Sequence, residues 1–549
     1  MYPSKLEIDR NINKLRLNAS EFTNISNDEL ADLFESVISN IKTTSYYWIS
    51  VAAENKGYSK KFNEGEDWVS GPFSTILAIE YYVKFLRGET NLTESNFDNI
   101  NKSYEVFPNN FIEKITFPFV SAKVFFNKNL DFKTVNTYRG YSNRYKNISK
   151  KITLVLGAGN VSSIPLLDAF FHMLAYRSTI FLKLNPVNEY LFPVFQQILL
   201  PFIERGFLII SKGDISASEY LCNHDSFNHI HLTGSNFTYE KIVYQRILSD
   251  KERKTKTLKK INKTPITTEL GNVTPFIIHP GSWTRSEIKY QARKIVTSKL
   301  NNSGFNCIAA QIVIIPKDWR YADSLKKYIN KYLKKIGDVS PYYPDSTEKL
   351  KTLSNNSNYD QINDASCKTP FLTADIESEI TYETSEVWSS VLYFKELDHS
   401  DANDYVSKAI SYVNDELWGN LGVSVLFKNH DKKRNSKYLK RYIDELRYGT
   451  IAINEWSAIA YVIPTMPWGG YPGNSDYNIQ SGQGFVHNAY LFESPLKGVV
   501  QTKFRLSRMI DPPWFITNKK SHRIFKHLTY YQASKSKLNL FKLIFSTLI

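Results

Sequence analysis

Apolar residues recur along this chain in two patterns, and the change between them falls near residue 150. Before that point they occur at helical spacing over 28–52 and 72–87, interrupted by Asn-rich polar segments at 91–104 and 126–149, so a mostly helical region is predicted. After it, short apolar runs typical of buried strands alternate with helical stretches. This alternation predicts βαβ units and a parallel sheet.

Two series of strands and helices follow from this pattern. The first comprises strands at 151–156, 179–184, 207–211 and 229–232, with helices at 163–176 and 190–204. The second comprises strands at 274–278, 310–315, 391–394 and 423–427, with helices at 283–300, 318–335 and near 402–413. The expected fold class is therefore α/β, with two α/β halves in series.

Length and composition narrow the class of protein. A chain of 549 residues is longer than one hydrophobic core usually stabilises, so two or more domains are expected. Its 42% hydrophobic and 22% charged residues are typical of globular proteins. The three cysteines, Cys222, Cys307 and Cys367, are too scattered for a disulfide framework, which favours a reducing, cytoplasmic compartment. No signal peptide, membrane span or metal site is predicted.

Positive charge is concentrated in two places within the net +15. From Lys503 onward ten Lys or Arg residues stand against Asp511 alone, and segment 251–263 carries seven positive charges and one negative. Such clusters attract phosphate-rich or lipid surfaces, and a solvated loop and tail are the alternative. Aromatic residues are spread through the chain rather than interleaved with the basic ones, so no nucleic-acid partner is expected.

The final segment, 538–549, is apolar and follows the basic stretch. This combination is compatible with a peripheral contact with an anionic membrane surface, which would suit a lipophilic substrate. Docking of the segment onto its own domain or onto a partner subunit is the alternative.

Three strand ends carry residues suited to ligand binding. Gly157-Ala-Gly-Asn160 follows the first predicted strand, where Asn160 can donate its amide to an oxyanion or simply cap the turn. Lys183 ends the second strand, at the edge where open α/β sheets bind ligands. Gly234 and Ser235 end a later strand and suit a phosphate, with an ordinary turn as the alternative.

Cys307 is the candidate nucleophile. It lies in Asn302-Ser-Gly-Phe-Asn-Cys307, between a long helical stretch and a strand, and we expect it to begin a short helix whose free N–H groups favour the thiolate. A buried apolar cysteine is the alternative. Glu269, in Thr268-Glu-Leu-Gly271, is the candidate general base, with a solvent-exposed carboxylate as its alternative.

Taken in order, these segments resemble the aldehyde dehydrogenase superfamily, and within it a divergent bacterial branch. The resemblance spans about 150–485 and includes the family motifs Phe-Thr-Gly-Ser, Glu-Leu-Gly-Gly-Lys-x-Pro, Asn-x-Gly-Gln-x-Cys and Glu-Glu-Ile-Phe-Gly-Pro-Val. The matching stretches here are His231-Leu-Thr-Gly-Ser235, Glu269-Leu-Gly-Asn-Val-Thr-Pro275, Asn302-Ser-Gly-Phe-Asn-Cys307 and Ser385-Glu-Val-Trp-Ser-Ser-Val391.

The resemblance implies an aldehyde-dehydrogenase-like α/β fold, with a Rossmann-type cofactor domain and an α/β catalytic domain, and NAD or NADP as the cofactor. It makes Cys307 the nucleophile, Glu269 the base and Asn160 an oxyanion donor. It places Glu386 on the cofactor ribose and Trp388 beside the nicotinamide. The residues implied to contact the cofactor are Lys183, Gly234, Ser235, Glu386 and Trp388. A homo-oligomer is also implied.

The implied reaction oxidises an aldehyde to a carboxylic acid through a thiohemiacetal and a thioester on Cys307. A fatty acyl-CoA reductase that makes an aldehyde from an acyl thioester is one alternative, and a non-catalytic scaffold is a second. Glu269 argues against the reductase, because a water-activating base would waste the thioester by hydrolysis. Phe305 departs from the family's glutamine, and Pro186 stands where NAD-preferring members carry an acid, so NADP stays open.

Four segments are expected along the chain. The N-terminal helical region and the cofactor-binding domain occupy 1–265, and the catalytic domain occupies 266–455. Residues 456–510 return to the cofactor domain and serve oligomerisation, and 511–549 form the basic-apolar tail.

Overall fold

The computed structural model describes residues 2–58, 61–110, 113–114, 117, 119–140, 151–255, 258–364, 366–376, 383–428, 432–507 and 510–548. In chain order its strands are β1 (Phe97–Asp98), β2 (Ser103–Phe107), β3 (Ser121–Phe126), β4 (Ile152–Leu156), β5 (Thr179–Lys183), β6 (Leu208–Ser211), β7 (His229–Gly234), β8 (Ile266–Leu270), β9 (Thr274–Ile278), β10 (Ala310–Pro316), β11 (Asp360–Gln361), β12 (Leu372–Asp375), β13 (Val391–Leu397), β14 (Gly422–Leu426), β15 (Thr450–Ile453), β16 (Pro467–Trp468), β17 (Val486–His487) and β18 (Pro495–Gln501).

The α-helices of the described residues are numbered in the same way. They are α1 (Lys5–Asn24), α2 (Asn27–Asn55), α3 (Lys61–Trp68), α4 (Ser74–Leu86), α5 (Phe132–Thr137), α6 (Ile164–Tyr176), α7 (Phe192–Ile198), α8 (Leu200–Glu204), α9 (Ile215–Cys222), α10 (Asn236–Tyr244), α11 (Asp250–Arg253), α12 (Arg285–Leu300), α13 (Ala322–Ile336), α14 (Ser346–Ser354), α15 (Ala402–Asp415), α16 (Lys432–Glu445), α17 (Ala458–Val462), α18 (Ser521–Ser534) and α19 (Lys537–Leu548).

Among the described residues, one sheet has five strands in the order β6-β5-β4-β7-β8, all parallel. Its strands are apolar along their whole length because helices cover both faces. Leu154 points into a core with α1, whereas its neighbour Val155 points into the core that contains α6. Successive strand residues face opposite sides, so a continuous apolar run buries both faces at once.

The second sheet runs β1-β2-β3-β18-β15-β14-β9-β10-β13-β12-β11 through the described residues. Strands β18 to β12 are parallel, and β3 pairs antiparallel with β18. The active-site segments therefore come from two sheets: β8 ends the first, and the loop before β10 belongs to the second. Only three residues separate β8 from β9, so the chain passes directly from one sheet to the other.

The predicted βαβ series is confirmed, since each predicted strand from 151 to 427 is present within a few residues of its expected bounds. The predicted helix at 190–204 is instead divided into a 3₁₀ turn, Pro186–Leu191, followed by α7 and α8. Pro193 and Pro201 lie at the starts of the two α-helices, and proline cannot donate the hydrogen bond that a continuous helix needs.

The mostly helical prediction for 1–150 is right for α1 to α4 and wrong for the strands β1 to β3. Strand β3 alternates half-buried and buried positions and pairs with β18, far away in sequence. Such a strand is stabilised by a non-local partner, which an Asn-rich local pattern does not reveal. The four-segment division of the chain stays a prediction. In the structure β8, at the start of the segment predicted to be catalytic, completes the five-stranded sheet.

The C-terminal tail forms two helices of opposite character. Helix α18 packs against α3 and the following turn and buries Phe525 and Leu528. Helix α19 leaves apolar side chains exposed, namely Leu538, Phe541, Ile544 and Phe545. The first half of the tail thus docks onto the chain's own core, whereas the second half packs against α18 with Leu543 at the core and leaves its other apolar side chains exposed. Within the described residues, no helix is both long and apolar enough to cross a bilayer.

A buried ion pair connects the end of α2 to α3. Lys56 Nζ lies 2.8 Å from Asp67 Oδ1, and both side chains are almost fully buried. Breaking a buried pair leaves an uncompensated charge in a low-dielectric interior, which is far more costly than losing an exposed pair.

The Lys56→Met substitution is therefore expected to lower the free energy of unfolding by about 3–5 kcal/mol. The matched control is Lys61→Met, because Lys61 is largely exposed and pairs with Glu64 at 2.6 Å. Urea unfolding of both variants measures the difference. Equal midpoints for the two variants would contradict this account of the pair, whereas recovery in Lys56→Met/Asp67→Asn would support it.

Candidate active site

The candidate site lies where the carboxyl ends of β4, β5, β7 and β8 meet the loop before β10. Cys307 is in this loop, in a turn between the 3₁₀ segment Asn301–Gly304 and the start of β10. The prediction that Cys307 begins a short helix is wrong. The strand starts three residues later, so no helix dipole acts on the sulfur from there.

Cys307 and Glu269 lie close together, although Glu269 is on β8 of the five-stranded sheet and Cys307 is in the loop before β10 of the second sheet. The Cys307 Sγ is 3.6 Å from Glu269 Oε1 and 3.7 Å from Asn306 Oδ1. Burial, followed by the charge of Glu269, raises the pKa of the thiol well above its ordinary value. The resting sulfur is thus a thiol that donates its hydrogen to the carboxylate beside it.

Glu269 is a buried side chain, only 2% exposed, and the solvent-exposed alternative is therefore wrong. Burial raises its pKa to about 8, with a further contribution from the charge of Asp168. Its second oxygen, Oε2, has no hydrogen-bonding partner among the described residues. A carboxyl group with a pKa near the working pH is suited to general-base chemistry.

Asn160 is buried in the turn after β4, close to the cysteine loop. Its Nδ2 donates a hydrogen bond to the Phe305 carbonyl oxygen at 3.2 Å. An amide group has two N–H donors, and Asn160 also lines the same cavity as Cys307. It therefore connects the turn after β4 to the cysteine loop and lies in the wall of the cavity that Cys307 also lines.

The side chain of Asn302 holds the two loops in register. Its Nδ2 donates to the carbonyl oxygens of Asn160 at 3.1 Å and of Phe305 at 3.0 Å. Its Oδ1 accepts from Lys56 Nζ at 3.2 Å and from Tyr342 Oη at 3.0 Å. Asn302 has a left-handed φ of 51°, a conformation that costs about 1–2 kcal/mol and that these four hydrogen bonds offset.

A cleft of about 710 Å³ at the strand ends leads toward the site and includes Lys183, Gly157 and Gly234 in its lining. Lys183 ends β5, as predicted, and burial lowers its pKa. Ser235 caps α10 by accepting a hydrogen bond from Thr238 N at 3.2 Å. Gly234 and Ser235 therefore lead into a helix rather than an ordinary turn. The start of this helix presents free N–H groups to the cleft.

Glu386 and Trp388 lie on the opposite side of a second cavity, of about 340 Å³, that joins this cleft to Cys307. Burial raises the pKa of Glu386 to about 8, and its Oε1 has no partner among the described residues. A Cβ added at Gly271 would lie 2.1 Å from Glu386 Oε2, so a larger residue there would displace this carboxylate. Trp388 has a left-handed φ of 50° and packs against Tyr343, with ring centroids 5.4 Å apart.

A third cavity reaches Cys307 from the other side. It is small, about 80 Å³, and is mostly apolar, with Phe117, Trp456, Tyr461, Trp468, Trp514 and Phe525 in its walls. Cys307 and Glu269 line both this cavity and the one that contains Glu386. The two reactive side chains are therefore accessible from two separate directions.

Several residues of the site were not anticipated from the sequence. Lys56 and Tyr342 anchor Asn302, and Asp168 and Tyr461 lie near Glu269. The sequence did contain a signal for Asp168, because this acid interrupts the apolar helical pattern at 163–176. A lone acid in a buried helix needs a polar partner. Among the described residues, no group of three His, Cys, Asp or Glu side chains is placed to hold a metal ion.

Part of the chain matches a known protein family. The model of the aldehyde dehydrogenase family matches residues 171–368. AldX from Bacillus subtilis (strain 168), itself assigned as an aldehyde dehydrogenase, is 23% identical over 375 residues, which cover 64% of this chain and 74% of AldX.

Solved structures match over nearly the whole chain. Betaine aldehyde dehydrogenase from Staphylococcus aureus, in complex with NAD⁺, is 14% identical with a TM-score of 0.62 and covers 92% of this chain and 89% of its own. NADP-dependent glyceraldehyde-3-phosphate dehydrogenase from Bacillus halodurans C-125, complexed with NADP, is 15% identical with a TM-score of 0.59, covering 91% and 92%. The fold is the one shared by these structures, and the family match over residues 171–368 supports the aldehyde dehydrogenase superfamily for this chain.

Proposed function

We propose that this protein oxidises an aldehyde to a carboxylic acid with NAD or NADP as the oxidant. One observation carries the proposal: Cys307 and Glu269 lie 3.6 Å apart, where the small apolar cavity meets the second cavity that joins the strand-end cleft. An aldehyde entering through the first and a dinucleotide bound in the second would reach the same sulfur. The family and the fold support an aldehyde dehydrogenase at the coarser level.

The residues of the cleft and of the second cavity fit a dinucleotide. Glu386 has an unpartnered carboxylate oxygen suited to ribose hydroxyls, and Gly271 leaves the room that the carboxylate occupies. Lys183 at the end of β5 and the N–H groups at the start of α10 suit the adenosine ribose and the phosphates. When bound, the nicotinamide supplies a hydride acceptor.

The protein's own residues carry the remaining chemistry. The Cys307 thiol gives its proton to Glu269 as the sulfur attacks the aldehyde carbon. Asn160 and the Cys307 N–H bind the resulting oxyanion, and one such donor typically contributes about 10²–10³ in rate. After oxidation to the thioester, the first proton leaves Glu269, which then removes a proton from the attacking water. The C–S bond breaks, the acid leaves, and Glu269 returns that proton to the Cys307 sulfur.

Cofactor reduction by aldehydes of increasing chain length tests this function. Wild-type protein is expected to reduce NAD or NADP, and kcat/KM should rise about fourfold for each added methylene until the apolar cavity is filled, because each buried methylene contributes about 0.8 kcal/mol. The Cys307→Ala variant should lose about 10³-fold or more.

Cys367→Ala is the matched control and should retain wild-type rates, because Cys367 lies outside the cavities that reach Cys307. A Cys307→Ala variant as fast as wild type would refute the nucleophile. Formation of aldehyde from acyl-CoA and NADPH, with no oxidation of any aldehyde, would replace this proposal by the reductase.

Glu269 gives the reaction a pH dependence. Its pKa is raised to about 8 and only the carboxylate accepts a proton, so kcat is expected to increase as pH rises through about 8. Glu269→Gln should slow thioester hydrolysis by about 10²–10⁴ and remove that limb of the profile. A burst of reduced cofactor and an acyl mass on Cys307 are the expected observations. Glu105→Gln, a surface change, serves as the control, and rapid turnover by Glu269→Gln would contradict the role.

We further propose that the substrate is lipophilic and that α19 rests on an anionic membrane surface. The exposed apolar side chains of α19 accompany Lys535, Lys537 and Lys542 within the same short stretch. Apolar side chains and lysines together favour the interface of an anionic bilayer.

Removal of 536–549 is expected to abolish co-sedimentation with vesicles that contain anionic lipid, and high salt should weaken binding by the full chain. The deletion begins after α18, so that Trp514 and Phe525, which line the apolar cavity, are kept. Oxidation of a short, water-soluble aldehyde should be unchanged. Equal sedimentation of the two proteins would exclude a membrane role for α19.

A further inference from the structure

One face of the β7–β8 pair carries a connected set of polar side chains. His229, His231 and Thr233 alternate along β7, so they share a face of the sheet. On β8, Thr267 is the register partner of His231, and Glu269 is the partner of Thr233. We call the four side chains that lead away from Glu269, namely His229, His231, Thr233 and Thr267, the polar row.

The polar row is hydrogen-bonded from end to end. His229 Nε2 lies 2.8 Å from Thr267 Oγ1, and His231 Nδ1 lies 2.9 Å from the same hydroxyl. On its other side, His231 Nε2 lies 3.3 Å from Thr233 Oγ1. Thr233 Oγ1 donates to Asp168 Oδ2 at 2.8 Å. Each link joins groups that can both accept and donate a proton.

The inner end of the row is next to the candidate base. Asp168, on α6, is fully buried and is the charge that acts most strongly on Glu269. Glu269 Oε2, Tyr461 Oη and both ring nitrogens of His487 are buried without partners among the described residues. A cluster of buried polar atoms of this kind is where proteins bind ordered water, which can relay a proton between carboxylates.

The outer end of the row lies nearer the surface. His229 is half-buried, whereas His231 is 1% exposed. The ring of His229 lies 6.0 Å from that of Tyr176, at the end of α6, and Lys151 also acts on it. Because His229 begins β7 and Glu269 is near the end of β8, the row runs along the sheet from the site toward the opposite edge.

A buried base needs such a route if the proposed function holds. Oxidation of an aldehyde with water releases one proton through the base in each cycle. The thiol proton passes to Glu269 and must leave, whereas the proton that Glu269 later takes from water returns to the Cys307 sulfur when the C–S bond breaks. We propose that Asp168 and the polar row conduct the released proton from Glu269 to solvent. The inference rests on the proposed function and adds to it the residues that return the base to its working state.

Each transfer conserves the proton. Protonated Glu269 passes its proton through water to Asp168, which gives it to Thr233 as the Thr233 hydroxyl gives its own to His231 Nε2. The Nδ1 proton of His231 then passes to Thr267, whose hydroxyl proton moves to His229 Nε2. His229 releases its Nδ1 proton to solvent, and the rings and hydroxyls rotate back. No oxidant or reductant is involved.

Burial keeps the outer imidazole of the row neutral at rest. Burial, followed by the neighbouring His231, lowers the pKa of His229 to about 3 and that of His172 far below its ordinary value. Burial lowers the pKa of His487 to about 4. Tyr82 of α4 and Tyr461 of α17 also face Asp168, and burial raises their pKa values, so neither holds a charge.

This neutrality does not make the route too slow. A proton that leaves Glu269, with a pKa of about 8, for His229, with a pKa of about 3, is opposed by a factor of about 10⁵. From a limiting frequency of about 6 × 10¹² s⁻¹ this leaves an upper limit of about 6 × 10⁷ transfers per second, well above typical turnover of about 1–10³ s⁻¹.

Thr267→Val tests the proposal because it removes the hydroxyl from the middle of the row and keeps the shape of the side chain. In weak buffer, stopped-flow measurement with a pH indicator should show proton release delayed about tenfold behind cofactor reduction, with KM for the aldehyde unchanged. Thr267→Ser keeps a hydroxyl and should release protons at the wild-type rate. His229→Ala should be slowed in the same way and recover when imidazole is added.

The outcomes separate the two proposals. Proton release that keeps pace with cofactor reduction in Thr267→Val, or His229→Ala that does not respond to imidazole, would overturn the proton route while leaving aldehyde oxidation in place. Absence of cofactor reduction in the wild type would instead remove the proposed function. Thermal unfolding of each variant distinguishes a broken row from a damaged fold, because Thr267→Val and Thr267→Ser should unfold within a few degrees of the wild type.

Discussion

The amide of Asn302 joins three stretches of chain that would otherwise be independent. It binds the turn after β4 and the cysteine loop through its nitrogen, and Lys56 at the end of α2 through its oxygen. Lys56 is in turn fixed by Asp67 of α3. An N-terminal ion pair thus sets the backbone conformation of a loop in another part of the chain. The left-handed φ values of Asn302 and Ser303 persist because these bonds exceed their cost.

The chemistry at Cys307 depends on burial more than on any nearby positive charge. Burial raises the pKa values of the thiol and of Glu269 together, so the proton stays on the sulfur at rest. A cysteine at a helix start would have its thiolate favoured instead. In the proposed reaction the thiolate forms as the proton moves to Glu269, which couples nucleophile and base and makes removal of that proton a requirement of every cycle.

Much of this arrangement was predictable from the sequence because its parts are local. Strand ends with Gly234 or Lys183 follow from βαβ periodicity, and the motif around Cys307 proposes the nucleophile by resemblance. The partners that set its properties were not predictable. Asp168 lies within an apolar helix, His231 within a strand, and Lys56 some 250 residues from the loop it anchors. The non-local strands β1 to β3 were missed for the same reason, since their stability comes from β18.

The walls of the apolar cavity come from segments near 70, 117, 307, 460 and 520. During synthesis, Cys307 leaves the ribosome well before Trp514 and Phe525, so in the nascent chain the apolar cavity beside the sulfur is incomplete. Contacts this distant in sequence form late in folding, because long loops must close first. The site is therefore among the last features to mature, and cleavage ahead of α18 would leave the sheets intact but reopen the cavity to water.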